Sequence, residues 1–139
     1  MKAGVIFLLL FSLWNSYSRL TDSRVFINES VLKAEIASTP RQRERGLSGR
    51  ESIGSDEAMI FKFEEEDFHS MWMKDMNFPI DIIWISKDKV IVDFEKNVPP
   101  ESYPEIFTSE SPAKYVLEVK AGFIEENELK KGDGIEFDL

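Results

Sequence analysis

The sequence predicts one α+β domain in which short, mainly antiparallel β-strands outnumber one or two short helices. Three observations favour this class. Short β-rich runs recur between turn-forming residues, two segments carry helical patterns, and 139 residues suffice for one ordinary domain but not for two. Hydrophobic residues make up 42% of the chain, so it can bury a core and fold.

The first elements are a strand and a helix. Residues 31–39, "VLKAEIAST", alternate as a half-buried strand does, with apolar side chains at the even positions. Thr39 then suits a helix N-cap, Pro40 the first helical position and Gln42 the third residue of a capping box. Gly46 is expected to end this helix.

The middle of the chain reads as an antiparallel meander of four strands joined by acidic or Asp-, Asn- and Pro-containing turns. The four predicted strands are "AMIFKF" (58–63), "FHSMWMK" (68–74), "IDIIWIS" (80–86) and "KVIVDFEKNV" (89–98). After a proline-bearing loop come a strand "AKYVLEVKAG" (113–122), a helical segment "FIEENEL" (123–129) and a last strand "IEFD" (135–138).

The N-terminus carries an export pattern. Lys2 precedes an apolar run at residues 3–13, and Ser16 and Ser18 fit the small residues of a cleavage site. A cleaved signal peptide over residues 1–18 is the leading interpretation, and an anchor retained through residues 3–17 or a buried element are the alternatives. With signal or anchor the rest is exported, as a periplasmic, cell-surface or secreted protein. Residues 19–30 read as a linker and residues 31–139 as the domain.

Charge and cysteine content exclude several functions. Lys and Arg number 17 against 26 Asp and Glu, and the net charge of −9 repels nucleic acid phosphates and anionic lipids. The sequence has no cysteine, which rules out disulfides, thiolate nucleophiles and lipoprotein acylation. We therefore expect no nucleic acid partner, and membrane contact only through the N-terminal segment.

Four motifs in order carry a family resemblance: "RERGLSGR", "AMIFKF", "MWMKDMNFPIDIIWIS", and "YVLEVKAG" with "LKKGD". Over about residues 32–137 the chain resembles the domain of unknown function 192 family, the uncharacterised ancient conserved region proteins. The resemblance implies an α+β fold with a curved, partly closed β-sheet and one or two short helices, often behind a signal peptide or anchor. It implies no established activity.

The chain departs from the pattern of that family at two places. Ser48 stands where Met is common, and Asp75-Met76 stand where Asn-Thr is common. Ligand contacts that depend on an Asn amide or a Thr hydroxyl at those positions do not carry over to this chain.

The segment at residues 68–81 concentrates candidate binding residues. In a strand, Trp72 and Lys74 share one face while Met71 and Met73 share the other. Trp72 offers a flat apolar surface and Lys74 a point charge, a pair that suits a sugar ring or a planar acid. Asp81 follows the turn and is a candidate partner of Lys74 across the hairpin. The alternative is that these side chains are scaffold, with a structural Lys74–Asp81 salt bridge.

Two further candidates come from other segments. Arg45 lies one helical turn after Arg41, and such arginines form either an anion-binding face or a solvated helix surface. Glu118 alternates with apolar neighbours and shares a strand face with Val116, so it is predicted to be an inward acid that needs a partner, with Arg45 as the candidate. Structural pairing is as compatible with this pattern as a site.

No metal or cofactor is predicted. One histidine and no cysteine leave only carboxylates such as Asp75, Asp81 and Glu118 as ligands, without the spacing of a calcium loop. A serine triad lacks a G-x-S-x-G elbow and a histidine of its own.

Three functions remain open. The first is a non-enzymatic, exported or membrane-tethered module that binds a cell-envelope glycan or small acidic molecule in a cleft formed by Arg45, Trp72, Lys74, Asp81 and Glu118. The second is a carboxylate-based hydrolase of envelope saccharides that uses Asp81 and Glu118. The third is a structural partner protein with an exposed edge strand. No residue is assigned a catalytic role.

Overall fold

The computed structural model describes residues 21–139, where mostly short strands and two short helices form. The strands are β1 Thr21–Ile27, β2 Ser30–Ala37, β3 Glu57–Asp67, β4 Ser70–Met71, β5 Ile80–Ile85, β6 Ile91–Val98, β7 Phe107–Thr108, β8 Ala113–Lys120 and β9 Glu136–Phe137. The helices are α1 Pro40–Arg45 and α2 Phe123–Glu126, with one 3-10 turn at Pro100–Ser102.

Seven strands form one curled sheet in the order β6-β5-β8-β3-β2-β1-β9. All neighbours are antiparallel except β2 and β3, which run parallel. The predicted α+β class with a curved, mainly antiparallel sheet is confirmed. β4 and β7 form a separate two-stranded ribbon.

The C-terminal residues draw the two edges of the sheet together. β9 pairs with β1, and just before it Val90 and Gly134 form a bridge beside the start of β6. The Ile91 amide donates to the Asp133 carbonyl at 2.9 Å. One short segment therefore contacts both ends of the sheet, which explains its partial closure.

Two hydrophobic cores lie on opposite faces of the sheet. The first core takes residues from all seven strands and from α2, among them Val25, Leu32, Ile60, Ile83, Leu117, Ile124 and Phe137. The second core is smaller, and its main members are Leu47, Met59, Phe61, Met71, Met73, Ile82, Trp84 and Val116. β5 is buried at every position because both cores cover it.

The start of α1 forms as predicted. The Thr39 hydroxyl accepts a hydrogen bond from the backbone N–H of Gln42 at 3.1 Å. The side-chain oxygen of Gln42 accepts one from the backbone N–H of Thr39, also at 3.1 Å, which completes the capping box. Gly46 ends the helix with φ of 48°. A Cβ there would meet the Phe61 ring at 3.1 Å, so both the backbone and the packing require glycine.

The predicted meander is wrong in its first half. β3 continues through the acidic residues to Asp67 and lies between β2 and β8, and residues 68–74 contribute only the short β4 beside β7. β3 and β8 carry apolar side chains on both faces, so each is most stable as an inner strand with a core on either side. The β5–β6 hairpin is confirmed.

The linker predicted over residues 19–30 is wrong for residues 21–27, which form β1. Val25 and Ile27 are fully buried there, while Phe26 between them is exposed. The signal or anchor predicted for residues 1–18 lies outside the described residues.

Candidate functional site

A cleft of about 290 Å³ opens on the second-core side of the sheet, between the end of α1 and the segment at residues 70–76. Thirteen residues line this cleft: Arg43, Glu44, Arg45, Gly46, Leu47, Ser48, Phe61, Phe63, Ser70, Met71, Trp72, Met76 and Glu118. Apolar and aromatic side chains form most of its walls, and four of the lining residues, Arg43, Glu44, Arg45 and Glu118, are ionisable.

Hydrogen bonds join the two walls of the cleft. The Ser48 hydroxyl donates to the Lys74 carbonyl at 2.8 Å, and the Gly49 amide donates to the Asp75 carbonyl at 2.9 Å. The Asn77 side-chain amide donates to the Arg50 carbonyl at 2.9 Å. The loop after α1 and the turn at residues 73–77 thus hold each other in place.

Trp72 forms the outer wall of the cleft. Its neighbours Met71 and Met73 are buried in the second core, so the predicted alternation holds although β4 ends at Met71. Trp72 is 44% exposed, its ring meets Tyr103 edge-on at 5.5 Å between centroids, and Lys74 Nζ lies 5.5 Å from its centroid. The predicted placement of Trp72 and Lys74 beside each other is confirmed.

A stacked cluster forms another wall. The Phe63 ring lies between the His69 ring, 3.6 Å away and nearly parallel, and the Arg43 guanidinium, 5.0 Å from its centroid. Arg43 Nη1 also donates to the Ser38 and Lys62 carbonyls at 2.6 and 3.0 Å. These contacts fix the Arg43 charge at the rim of the cleft.

Glu118 forms the floor of the cleft. It shares the Val116 face of β8, as predicted, between Met59 of β3 and Ile82 of β5, both fully buried. Glu118 is 4% exposed, and its side chain makes no hydrogen bond or ion pair with residues 21–139. Every fully enclosed side-chain oxygen in that range has a partner, so the Glu118 carboxyl must reach the cleft space.

Burial without a countercharge changes the protonation of Glu118. Removing the carboxylate from water raises the pKa of Glu118 to about 8, because desolvation penalises the charged form. At neutral pH the carboxyl therefore carries its proton. It can donate one hydrogen bond and accept another, which an ordinary surface glutamate cannot do.

Arg45 does not supply the predicted partner of Glu118. Arg45 is exposed and lines the cleft rim together with Glu44, yet no ion pair joins it to Glu118. Arg45 is the last residue of α1, and its exposed side chain lies at the rim while Glu118 is buried at the floor.

Asp81 is not part of the cleft. It lies on the first-core face of β5, opposite to the face that bears Glu118 on β8, and it is fully buried. One carboxylate oxygen accepts a hydrogen bond from the backbone N–H of Asn97 at 2.8 Å, and the other accepts one from the backbone N–H of Ile124 at 2.9 Å. The predicted Lys74–Asp81 pair is therefore wrong, because the two side chains emerge on different sides of the sheet.

The sequence analysis predicted three of the thirteen lining residues, Arg45, Trp72 and Glu118, and among those it missed are the apolar Leu47, Phe61, Phe63 and Met76. They are ordinary apolar side chains, and nothing in their spacing separates a cleft wall from a core. The alternation of Phe61 and Phe63 on β3 indicated a shared face, but which element covers that face depends on contacts distant in sequence.

Two features are absent from residues 21–139. No three His, Asp or Glu side chains lie close enough together in this part of the chain to hold a metal ion. Within the same residues, no helix has the length and apolar character needed to cross a membrane.

The fold is that of a small α+β protein with a curled, mainly antiparallel sheet. A family model matches residues 23–137, and the chain belongs to that family, DUF192, described as "Uncharacterized ACR". The resemblance seen in the four motifs is confirmed.

Two solved structures are similar to this chain. The first is a candidate transcription regulator from Sinorhizobium meliloti 1021, with 34% identity, a TM-score of 0.80, and coverage of 85% of this chain and 95% of that one. The second is a protein of unknown function from Novosphingobium aromaticivorans DSM 12444, with 28% identity, a TM-score of 0.75 and 84% of each chain covered. A search of curated proteins found no match.

Proposed function

We propose that this protein is a non-enzymatic binding module that holds a cell-envelope glycan unit or a small acidic molecule in the cleft. The observation that carries the proposal is Glu118, a buried carboxyl without a protein partner that opens into the cleft. Burying a polar group without a partner costs free energy, and a ligand that hydrogen-bonds to it removes that cost. Trp72 supplies a flat surface for the apolar part of the ligand.

A hydrolase is less well supported by the same geometry. Hydrolysis of a glycosidic bond by two acids needs carboxyl groups that flank the bond, about 5 to 10 Å apart. Asp81, the predicted second acid, lies across the sheet with both oxygens engaged. Of the residues that line the cleft, Glu44 is the other acid, and it is exposed at the rim.

Two other partners are also less well supported. The edge strand β6 carries Asp93, Glu95 and Lys96, charges that oppose pairing with a strand of another protein. The net charge of −9 opposes binding to nucleic acid, even though one similar structure carries the description of a transcription regulator.

A ligand titration tests the binding proposal. Chitobiose, as a glycan probe, and succinate, as a small acid, are added to the full chain while the indole NMR signal of Trp72 is followed. We expect one probe to shift that signal. Calorimetric titration of the same probe into Trp72→Ala, which lacks the indole reporter, should show binding about tenfold or more weaker because the stacking surface is lost. If succinate is the probe that binds, Lys74→Met should weaken it by a similar factor.

The matched control for Trp72→Ala is Phe26→Ala. Phe26 is 43% exposed and lies on β1, outside the residues that line the cleft. The Phe26→Ala variant should bind the probe with the same affinity as the wild type. Absence of any shift at Trp72, or an equal loss in the Phe26 variant, would contradict a site in the cleft.

We further propose that the protein is exported and that residues 1–18 direct it, as a cleaved signal or as an anchor. The apolar run after Lys2 supports this placement. Fractionation of cells that express the full chain should recover the domain outside the cytoplasm or with the membrane. Recovery of soluble cytoplasmic protein that retains residues 1–18 would refute export.

A further inference from the structure

The surroundings of Glu118 narrow the chemistry of the ligand. On the sheet its neighbours Met59 and Ile82 offer no polar atom that could hydrogen-bond strongly. Burial raises the pKa of Glu118 to about 8, so the group presents a proton at neutral pH. The ligand atom that contacts the Glu118 carboxyl should therefore be a hydrogen-bond acceptor.

The charged side chains around the cleft sum to a positive charge. From α1, Arg43, Glu44 and Arg45 reach the rim, and together they leave one positive charge. β3 and β5 present apolar side chains to Glu118. One further cation, Lys74, lies against the Trp72 ring at the outer wall. The cleft is thus locally positive although the whole chain is acidic.

We infer that the cleft takes a carboxylate with a flat or branched apolar body, and that the ligand carboxylate accepts a hydrogen bond from the carboxyl group of Glu118. This inference rests on the proposed binding function. The arginine-bearing rim favours an anion over an amine. Between the charged rim and the floor, the uncharged side chains that carry a hydrogen-bonding oxygen are Ser48 and Ser70, which are few for the several hydroxyl groups of a sugar.

The size of the cleft agrees with one small molecule. A space of about 290 Å³ lies at the lower end of ligand pockets and suits a single ring with one substituent. Leu47, Phe61 and Met71 surround the space where the apolar body would lie.

Three ring-sized probes test the inference: benzoate, benzylamine and methyl β-glucoside, which differ in charge and polarity. Each is titrated into the full chain at about pH 6.5 and about pH 9.5, with the Trp72 indole signal as readout. We expect benzoate to bind with a Kd of about 1 mM or tighter at the lower pH and at least tenfold better than the other probes. At the higher pH its affinity should fall about 30-fold, because only about one molecule in thirty keeps the Glu118 proton.

The Glu118→Gln variant tests whether the proton of Glu118 is the one donated to the ligand. Glutamine donates a hydrogen bond and does not ionise, so the variant should bind benzoate at the lower pH and keep that affinity at the higher pH. Glu125→Gln, an exposed acid on α2 outside the cleft lining, is the control and should follow the wild type at both pH values.

The possible outcomes distinguish failure of the carboxylate inference from failure of the binding function itself. If benzylamine or the glucoside shifts Trp72 and benzoate does not, the carboxylate inference fails and the binding function stands. If no probe shifts Trp72, both fail. If benzoate binds but Glu118→Gln loses affinity with pH as the wild type does, Glu118 is not the donor and the inference is overturned.

Discussion

The Glu118→Gln variant is expected to be markedly more stable than the wild type near pH 9 and to match it within about 1 kcal/mol near pH 4. Burial raises the pKa of Glu118 from 4.5 to about 8 in the folded chain. Between these values the folded state holds a proton that the unfolded state has released, so the wild type loses stability as pH rises through this window. The full loss is roughly 5 kcal/mol, and glutamine does not undergo it.

Urea unfolding at about pH 4, 6.5 and 9 measures this difference. The contribution of Glu118 is fully present below about pH 4.5 and is lost by about pH 8, so the two unfolding free energies should diverge progressively across that range. Glu125→Gln, an exposed carboxyl, should track the wild type throughout. Parallel curves for Glu118→Gln and the wild type would mean that Glu118 titrates as a surface acid does.

Trp84→Ala is expected to cost about 3 to 5 kcal/mol of unfolding free energy, against about 1 kcal/mol or less for Trp72→Ala. Trp84 is fully buried in the second core, whereas Trp72 is 44% exposed. The Trp84 Nε1–H also donates to the His69 carbonyl at 2.9 Å, so truncation leaves that acceptor without its donor. This bond ties the segment that bears Trp72 to the core.

Chemical denaturation of both variants provides the comparison. Trp84→Phe is a second variant that keeps one aromatic ring in the core but removes the indole N–H and part of the ring volume, so it should cost less than Trp84→Ala and still fold. Equal losses for Trp72→Ala and Trp84→Ala would show that the exposed tryptophan is as deeply packed as the buried one, against the structure.

Local patterns in the sequence were sufficient for the elements that depend on near neighbours. The capping box of Thr39 and Gln42, the end of α1 at Gly46 and the β5–β6 hairpin each follow from residues a few positions apart. The alternation of apolar and polar side chains also placed Glu118 on the Val116 face of β8. These features form because the interactions that stabilise them are short-range in the chain.

The same patterns misplaced contacts that join distant segments. Asp81 reads as a turn acid beside Lys74, yet its partners are the amides of Asn97 and Ile124, 16 and 43 residues away. No spacing rule reports such partners. Sequence alone does not distinguish two kinds of buried acid. Asp81 accepts hydrogen bonds from two backbone N–H groups in the core, whereas Glu118 opens into a cleft, yet both follow apolar neighbours in a strand.

Composition, motifs and local periodicity were sufficient for the α+β class, the charge, the lack of cysteine chemistry, the family, and the face on which Glu118 lies in β8. Long-range packing was needed to place β3 between β2 and β8 and to bring Leu47, Phe61 and Phe63 into the same cleft as Glu118. The physical reason is that strand periodicity specifies the face on which a residue lies and not the strand beside it. That neighbour is selected by burial of apolar surface on both faces of the whole sheet at once.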